Sequence, residues 1–400
     1  MDRLLLALVC IWIAWLYSKT EIDPDWALFN LPAFTGAWYG RDFVDCKSPL
    51  IYLWYYGIAK ITGPDIKAVK FMHHILISFP GIVVGGWAGL AFIVIINSGW
   101  LIAFHGNVSQ QPAGFILLAL WFHDPWISTA LLFLAIAFEP KLITLLLIPI
   151  LSSWWLPLGT GVVIAGGTAL VIWKKWPQVW GWLVEANLTI TKRMTAWRWD
   201  LIRHGADFTY TSMKGLMYIL PWLLLGAYTK PDLKYWLPMI AYIVLNAAGV
   251  FIRPNHLMIL APWIALALPW QGVVALFITD WVSGFAYMGD VWNRFYSALR
   301  IGNEEARLIG EWLKDKPGTL WVNGIHTAIY IYSGKKPYGG MTEQIEIRNN
   351  ATERRKAWRE AWQKEPPEWV VEGQSPGWTF NPIGYHREIE GNISKIYRRL

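Results

Sequence analysis

Acidic and basic side chains are concentrated in the polar stretch that follows the first apolar segment. Asp23 and Asp25 come shortly after that segment, and Arg41, Asp45 and Lys47 follow in the same stretch. A carboxylate can accept a proton from a substrate hydroxyl as a general base. Arginine and lysine can neutralise a phosphate or diphosphate. The stretch therefore predicts a carboxylate base beside a phosphate held by cations.

The two leading aspartates have different expected roles. Asp23 stands directly before Pro24, and an aspartate before a proline is a strong signal for the start of a helix. We therefore assign Asp23 to the helix cap and Asp25 to the base, with the reverse assignment as the alternative. For Arg41, Asp45 and Lys47 the alternative is a solvated loop with weak surface ion pairs.

Two further polar loops lie between apolar segments. His105–Gln111 contains Asn107, whose amide suits the hydroxyl groups of a sugar, although a plain connecting turn is an equal alternative. Arg253 and His256 stand in a second such loop and can complete a phosphate pocket. The chain has no HExxH or CxxC motif, so the sequence indicates no metal site of these kinds.

The composition is that of a membrane protein. Hydrophobic residues make up 55% of the chain and charged residues 16%, and there are 29 tryptophans, whereas soluble domains have about 45–50% apolar residues. The net charge of +7 accompanies no nucleic-acid motif. Attraction to anionic membrane lipids accounts for it, and no nucleic-acid partner is expected.

Continuous apolar runs predict about eleven transmembrane helices. An odd number places the N-terminus in the cytoplasm and the C-terminal part outside. The predicted crossings are Leu4–Tyr17, Phe71–Val84, Trp87–Phe104, Pro112–Phe122, Trp126–Phe138, Leu142–Ser152, Leu156–Trp173, Leu216–Tyr228, Trp236–Phe251, Leu257–Leu268 and Val273–Tyr287.

One segment leaves two topologies open. Either Leu50–Ile61 lies along the outer surface and Phe71–Phe104 crosses twice, or Leu50–Ile61 crosses and Phe71–Ile96 crosses once. The second choice places several lysines inside, as the positive-inside tendency prefers. Both choices leave the acidic and basic stretch outside.

Charges become frequent near Arg300, which predicts a domain boundary. Residues 1–300 form the predicted multi-pass membrane domain, with a catalytic first outer loop at residues 19–70. Residues 301–400 form a small extracytoplasmic α/β domain. Its predicted helices are Glu304–Lys314 and Glu353–Trp362, and its predicted strands are Thr319–Val322, Trp369–Glu372 and Ser394–Arg398.

These features together resemble the GT-C superfamily of integral-membrane glycosyltransferases, in particular protein O-mannosyltransferases and lipid A aminoarabinose transferases. The resemblance rests on an acidic pair, a G-x-x-Y-x-D-F-like turn, a K-P-P-like element, an aromatic-rich helix followed by a glycine, and a tail typical of bacterial members. In this chain those elements are Asp23–Ala27, Gly36–Phe43, Asp45–Leu50, Ile61–Gly63, Trp321–Gly324 and Tyr330–Pro337.

The resemblance implies roles for individual residues. Asp25, or Asp23, matches the loop carboxylate that acts as base, and Lys47 matches a lysine that contacts the lipid phosphate. Arg253 and His256 are similar to a late basic element of an outer loop. The second outer loop lacks the acid that family members often carry there, so use of a divalent cation, Mg²⁺ or Mn²⁺, is left open.

The expected function is that of an inverting membrane glycosyltransferase. Its donor is a polyprenyl-phosphate sugar, and its acceptor is a hydroxyl group of a lipid, glycan or protein at the outer face of the cell membrane. Arg41, Lys47 and Arg253 would stabilise the leaving phosphate, and Asp25 would activate the acceptor. The alternatives are a transporter or flippase for a lipid-linked substrate and a non-catalytic membrane assembly protein.

Overall fold

The computed structural model describes residues 2–19, 22, 24–43, 47–98, 109–180, 209–248, 254–287, 293–323, 327–340, 360–373, 384–390 and 394–400. The chain forms two compact units, each built from separate stretches. The first unit comprises Met1–Thr20, Asp65–Val171 and Met194–Asp290, and the second comprises Glu21–Pro64, Ile172–Arg193 and Val291–Leu400.

Helices dominate the described ranges. In chain order they are α1 (Arg3–Ser18), α2 (Pro24–Phe29), α3 (Leu31–Thr35), α4 (Pro49–Thr62), α5 (Ile66–Val84), α6 (Gly86–Ile96), α7 (Gln110–Phe122), α8 (Pro125–Phe138), α9 (Leu147–Leu151), α10 (Trp155–Lys175), α11 (Pro177–Trp180), α12 (Thr209–Thr229), α13 (Leu233–Ala248), α14 (Ala261–Ala267), α15 (Trp270–Tyr287), α16 (Asn293–Lys314) and α17 (Ala328–Ser333). Two 3₁₀ helices, Pro140–Leu146 and Pro254–Leu260, precede α9 and α14.

Several helices of the first unit begin at an aspartate that accepts backbone N–H groups. Asp2 caps α1, Asp65 caps α5 through the N–H of Ala68 at 2.8 Å, and Asp124 caps α8. A carboxylate at this position satisfies N–H groups that have no partner inside the helix. The sequence thus marks where these helices start.

Helices α5 and α6 form an antiparallel pair in the first unit. Gly85 and Gly86 join them, with φ of +75° and +60°, a conformation that favours glycine. The helices touch where Gly89 faces Gly81. The segment Phe71–Phe104, which left two topologies open, therefore turns back on itself in its described part.

The prediction of eleven transmembrane helices is wrong. Among the described residues only α5 and α10, of 19 and 21 residues, are long and apolar enough to cross a bilayer. Shorter apolar helical stretches of 10–17 residues are also found there, among them Ile219–Thr229 of α12, and these fall below the roughly 20 residues needed. Apolar composition misled the sequence analysis because some helices bury their apolar residues in protein: all residues from Gly89 to Ile96 of α6 are buried.

The second unit contains a four-stranded sheet of β1 (Leu320–Asn323), β2 (Trp369–Gly373), β3 (Tyr385–Glu390) and β4 (Ser394–Arg399). The strand order is β1-β2-β4-β3, with β1 and β2 parallel and the other pairs antiparallel. Three of these strands lie within one residue of the predicted Thr319–Val322, Trp369–Glu372 and Ser394–Arg398, and α16 contains the predicted helix Glu304–Lys314.

The same unit includes the polar stretch that follows α1. Helix α17 packs against both α2 and α3, although almost 300 residues separate these elements in the chain. Trp26, Phe29 and Tyr55 are buried there. The rings of Phe29 and Tyr55 stack with centroids 6.0 Å apart. Aromatic packing of this kind holds the first loop in a defined shape.

Candidate functional site

A tight turn from Trp38 to Phe43 forms the centre of the candidate site in the second unit. The N–H of Trp38 donates to Asp42 Oδ2 at 2.8 Å, and the N–H of Asp42 donates to the carbonyl of Trp38 at 2.8 Å. Gly40 has φ of +83°, and its N–H donates to the carbonyl of Phe43 at 2.7 Å. These reciprocal bonds fix the Asp42 carboxylate on its own backbone.

Two cations meet on the same Asp42 oxygen. Arg41 approaches Oδ2 through Nη2 at 2.6 Å and Nε at 3.1 Å, and Lys336 Nζ lies 3.4 Å away. The hydrogen bond from Arg41 is the main reason why the pKa of Asp42 lies below its usual value, and the Trp38 N–H and Lys336 lower it further. The carboxylate is therefore charged at neutral pH.

Lys335 and Lys336 are neighbours with different tasks. Lys335 Nζ donates to the carbonyls of Lys316 at 2.6 Å and Gly318 at 3.1 Å, just before β1. Partial burial lowers the pKa of Lys335. Lys336 instead points to Asp42 in the first loop. Lys335 thus anchors the segment, and Lys336 supplies a charge to the turn.

A cavity of about 170 Å³ lies beside this turn. The ring of Tyr39 packs on that of Tyr52 with centroids 5.0 Å apart, and Trp38 meets Tyr56 at 4.7 Å. Aromatic faces can pack against the C–H groups of a sugar ring. The residues that line the cavity are Pro32, Trp38, Tyr39, Pro49, Tyr52 and Leu53.

Lys47 stands at the edge of the same aromatic cluster. Its Nζ lies 4.9 Å from the ring centroid of Phe29, within the range of a cation–π interaction. Its carbonyl accepts the hydroxyl of Tyr39 at 3.3 Å, and Tyr39 lines the cavity. The side chain is half-buried. Lys47 is thus held close to the cavity wall.

The other predicted site residues are described in part or not at all. Asp25 is the second residue of α2, which begins at Pro24 as expected, but its side chain lies outside the description, as does that of His256 in the 3₁₀ helix Pro254–Leu260. Their roles stay predictions. Those residues that lie wholly outside the described ranges are Asp23, Asp45, Asn107 and Arg253.

The described ranges contain no group of side chains that could serve together as metal ligands. No three His, Cys, Asp or Glu side chains there come close enough to hold an ion together. His73 and His74 face different partners: His73 Nε2 pairs with Gln110 Oε1 at 3.2 Å, and His74 Nδ1 pairs with Asn97 Oδ1 at 2.9 Å.

These two histidines belong to a buried polar network in the first unit that sequence reasoning missed. Tyr17 stacks on His74 with ring centroids 4.4 Å apart and donates its hydroxyl to the carbonyl of Asn97. Asn97 Nδ2 donates to Ser78 Oγ at 2.9 Å. The network satisfies buried polar groups and ties α1, α5 and the end of α6 together.

Lys336 and Asp42 are the other pair that the sequence did not reveal as partners, because 294 positions separate them.

Comparisons with protein-family models, curated protein sequences and solved structures gave no match. The residues of the second unit and their geometry are therefore the basis for inferring a function.

Proposed function

We propose that this protein is a membrane glycosyltransferase that moves a sugar from a polyprenyl-phosphate donor to an acceptor hydroxyl, with inversion. The observation that carries the proposal is the aromatic-lined cavity beside the Trp38–Phe43 turn, where Arg41 and Lys336 converge. The cavity suits a sugar ring, and the cations suit the phosphate to which the sugar is attached. Lys47 adds a third cation over the ring of Phe29, which packs on Tyr52 of the cavity wall.

The reaction is a single displacement at the anomeric carbon. The acceptor oxygen attacks that carbon from the face opposite the phosphate, and the bond from carbon to the phosphate oxygen breaks. Polyprenyl phosphate leaves with the electron pair, and the hydroxyl proton passes to Asp25. Because phosphate is a fair leaving group, positioning and charge stabilisation supply most of the rate.

Attachment to a membrane is supported by α10. This helix is 21 residues long, and only 6% of its most apolar window is buried in protein. Its exposed side chains include Leu156, Val163 and Ile164. An uncovered apolar surface of this size marks a region that contacts lipid or another protein.

A direct test combines the purified protein in vesicles with a panel of synthetic polyprenyl-phosphate sugars. We expect formation of polyprenyl phosphate and a glycosylated acceptor for at least one donor, and no turnover with the Asp25→Asn variant. Movement of intact donor across the bilayer without bond cleavage would support a flippase instead. Failure to bind any lipid phosphate would overturn the proposal. Mass spectrometry of the lipid that co-purifies with the protein guides the choice of donor.

We expect the first loop and the C-terminal part to lie on the same, non-cytoplasmic side of the membrane, because both belong to the second unit. In a background with Cys10 and Cys46 replaced by serine, Arg41→Cys and Leu400→Cys should both react with a membrane-impermeant maleimide in intact cells. Both residues are exposed. Labelling of only one would separate the two regions, and labelling only after permeabilisation would place both inside.

We expect the Lys47→Ala variant to bind the donor more weakly while remaining folded. Loss of a contact with a charged phosphate costs about 1.5–3 kcal/mol, which is measurable by titration with polyprenyl phosphate. Lys60→Ala is the matched control, because Lys60 Nζ also lies over a ring, 5.2 Å from the centroid of Tyr56. Equal affinity in both variants would remove Lys47 from the phosphate site.

A further inference from the structure

The Asp42 carboxylate occupies a place that is built for an anion. A single oxygen of this carboxylate, Oδ2, accepts hydrogen bonds from four nitrogens. The donors are the Trp38 N–H, Nε and Nη2 of Arg41, and the ammonium of Lys336. Converging backbone and side-chain donors of this kind are typical of phosphate sites in proteins. Here the protein's own carboxylate holds the position.

The charges at this place do not balance. Among the described residues, two cations face one carboxylate, so a positive charge remains there. The Arg41 and Lys336 side chains are 63% and 48% exposed, whereas that of Asp42 is 21% exposed. Exposed ion pairs contribute little to stability. Both cations can therefore exchange Asp42 for a stronger anion at small cost.

We propose that the phosphate of the donor replaces Asp42 as the partner of Arg41 and Lys336, which makes Lys336 a phosphate-binding residue supplied by the C-terminal part of the chain. This inference rests on the proposed function for the identity of the phosphate. Until the donor arrives, Asp42 keeps the two cations together at the oxygen that also accepts the N–H of Trp38, a residue of the cavity wall.

The arrangement favours the leaving group over the donor. A polyprenyl-phosphate sugar is a phosphodiester with one negative charge, whereas the departing polyprenyl phosphate is a monoester that carries nearly two charges at neutral pH. Two cations stabilise the additional charge as it develops during bond cleavage. Lys336 therefore contributes more in the transition state than in the complex with bound donor.

Opposite charge changes at the two positions provide the test. Lys336→Ala removes a cation, so we expect at least about tenfold weaker binding of farnesyl phosphate, a short polyprenyl phosphate. Asp42→Asn removes the competing anion and keeps an oxygen for the Trp38 N–H, so we expect about two- to fivefold tighter binding. Isothermal titration calorimetry of the full-length protein measures both affinities.

The matched controls are Arg307→Ala and Glu311→Gln. These residues form an exposed ion pair at 3.0 Å on α16 in the same unit, with side chains 45% and 53% exposed. The two control variants make the same charge changes at a position away from the turn. Their affinities for farnesyl phosphate should equal that of the unmodified protein. Inorganic pyrophosphate serves as a second probe, because it shows whether the site reads the phosphate without the lipid.

Two outcomes overturn the inference: unchanged affinity in both site variants, or weaker binding in both, as expected if the pair only holds the loop in shape. Thermal unfolding of each variant identifies a loss of fold, and Lys336→Gln, with a smaller change in volume, then replaces Lys336→Ala. Opposite shifts without any sugar transfer would uphold the phosphate site and reject the glycosyltransferase. Sugar transfer together with equal affinities for farnesyl phosphate in all variants would reject the phosphate site at Arg41 and Lys336 and would uphold the glycosyltransferase.

Discussion

The Asp25→Asn variant is expected to lose sugar transfer, by about 10²–10⁴-fold, while it still binds the donor. Asparagine matches aspartate in size and accepts hydrogen bonds, but it cannot take a proton from the acceptor hydroxyl. Asp25 stands in the first turn of α2, next to the buried Trp26, so its backbone position is set by the packed aromatic cluster. The loss is measured as the turnover rate, the number of polyprenyl phosphate molecules that each enzyme molecule releases per second.

Asp23→Asn is the matched comparison, since it changes the same group two residues earlier. Asparagine caps helices about as well as aspartate, so α2 should still start at Pro24 and turnover should fall only slightly. Near-normal turnover by Asp25→Asn together with an inactive Asp23→Asn would transfer the role of base to Asp23. Activity in both variants would exclude this pair of aspartates from the proton transfer.

The second large effect is expected on folding. A Cβ atom at Gly89 would lie 2.2 Å from the carbonyl oxygen of Gly81 and 3.0 Å from Cδ1 of Leu6. Because the nearest atom belongs to the backbone of α5, a rotamer change cannot relieve the clash. Gly89→Ala must push α6 away from α5, and we expect it to destabilise the protein by at least about 1–3 kcal/mol.

Gly166→Ala is the control in the same unit. Gly166 lies within α10, and a Cβ atom there meets nothing within 4 Å. Alanine suits a helix interior better than glycine by about 0.5–1 kcal/mol, so this variant should be neutral or slightly more stable. Thermal unfolding in the same detergent compares the two. If Gly89→Ala melted at the temperature of Gly166→Ala, the close approach of α5 and α6 would be disproved.

Local patterns predicted the local structure of the second unit. The strands around Trp321, Val370 and Ile396 were visible because buried β-branched and aromatic residues stand between turn residues. Helix α16 was visible, in part, because its apolar residues repeat with helical spacing. Both signals lie within about a dozen neighbouring positions, so they need no knowledge of the rest of the chain.

The number of transmembrane helices could not be read in the same way. An apolar helix has the same composition whether it faces lipid or other helices, and α6 and α10 show the two extremes: α6 is buried from Gly89 to Ile96, whereas α10 is almost entirely exposed. Helix breaks also depend on local conformation. The apolar run that includes Leu142 begins as a 3₁₀ helix rather than as a continuous span.

In the candidate site, too, residues that are close in the sequence could be predicted, whereas contacts between distant residues could not. Arg41 and Lys47 were predicted because they lie in one short polar stretch; in the structure Arg41 pairs with Asp42, and Lys47 lies over the ring of Phe29. The partnership of Asp42 with Lys336 has no local signal. The partners of His73 and His74 were equally invisible, because Gln110 begins α7 and Asn97 directly follows α6.

The second unit is built from stretches that lie far apart in the sequence, and this affects how it can fold while the chain is being synthesised. The loop with α2, α3 and α4 leaves the ribosome long before α17 and the sheet exist. At about 5–20 residues per second, the loop waits for on the order of 15–60 s before these partners are made. During that interval its aromatic side chains lack part of their packing and are open to chaperones or to premature association. A ribosome that stalls before Ala328 would thus leave the acidic and basic stretch complete in sequence but unfinished in structure.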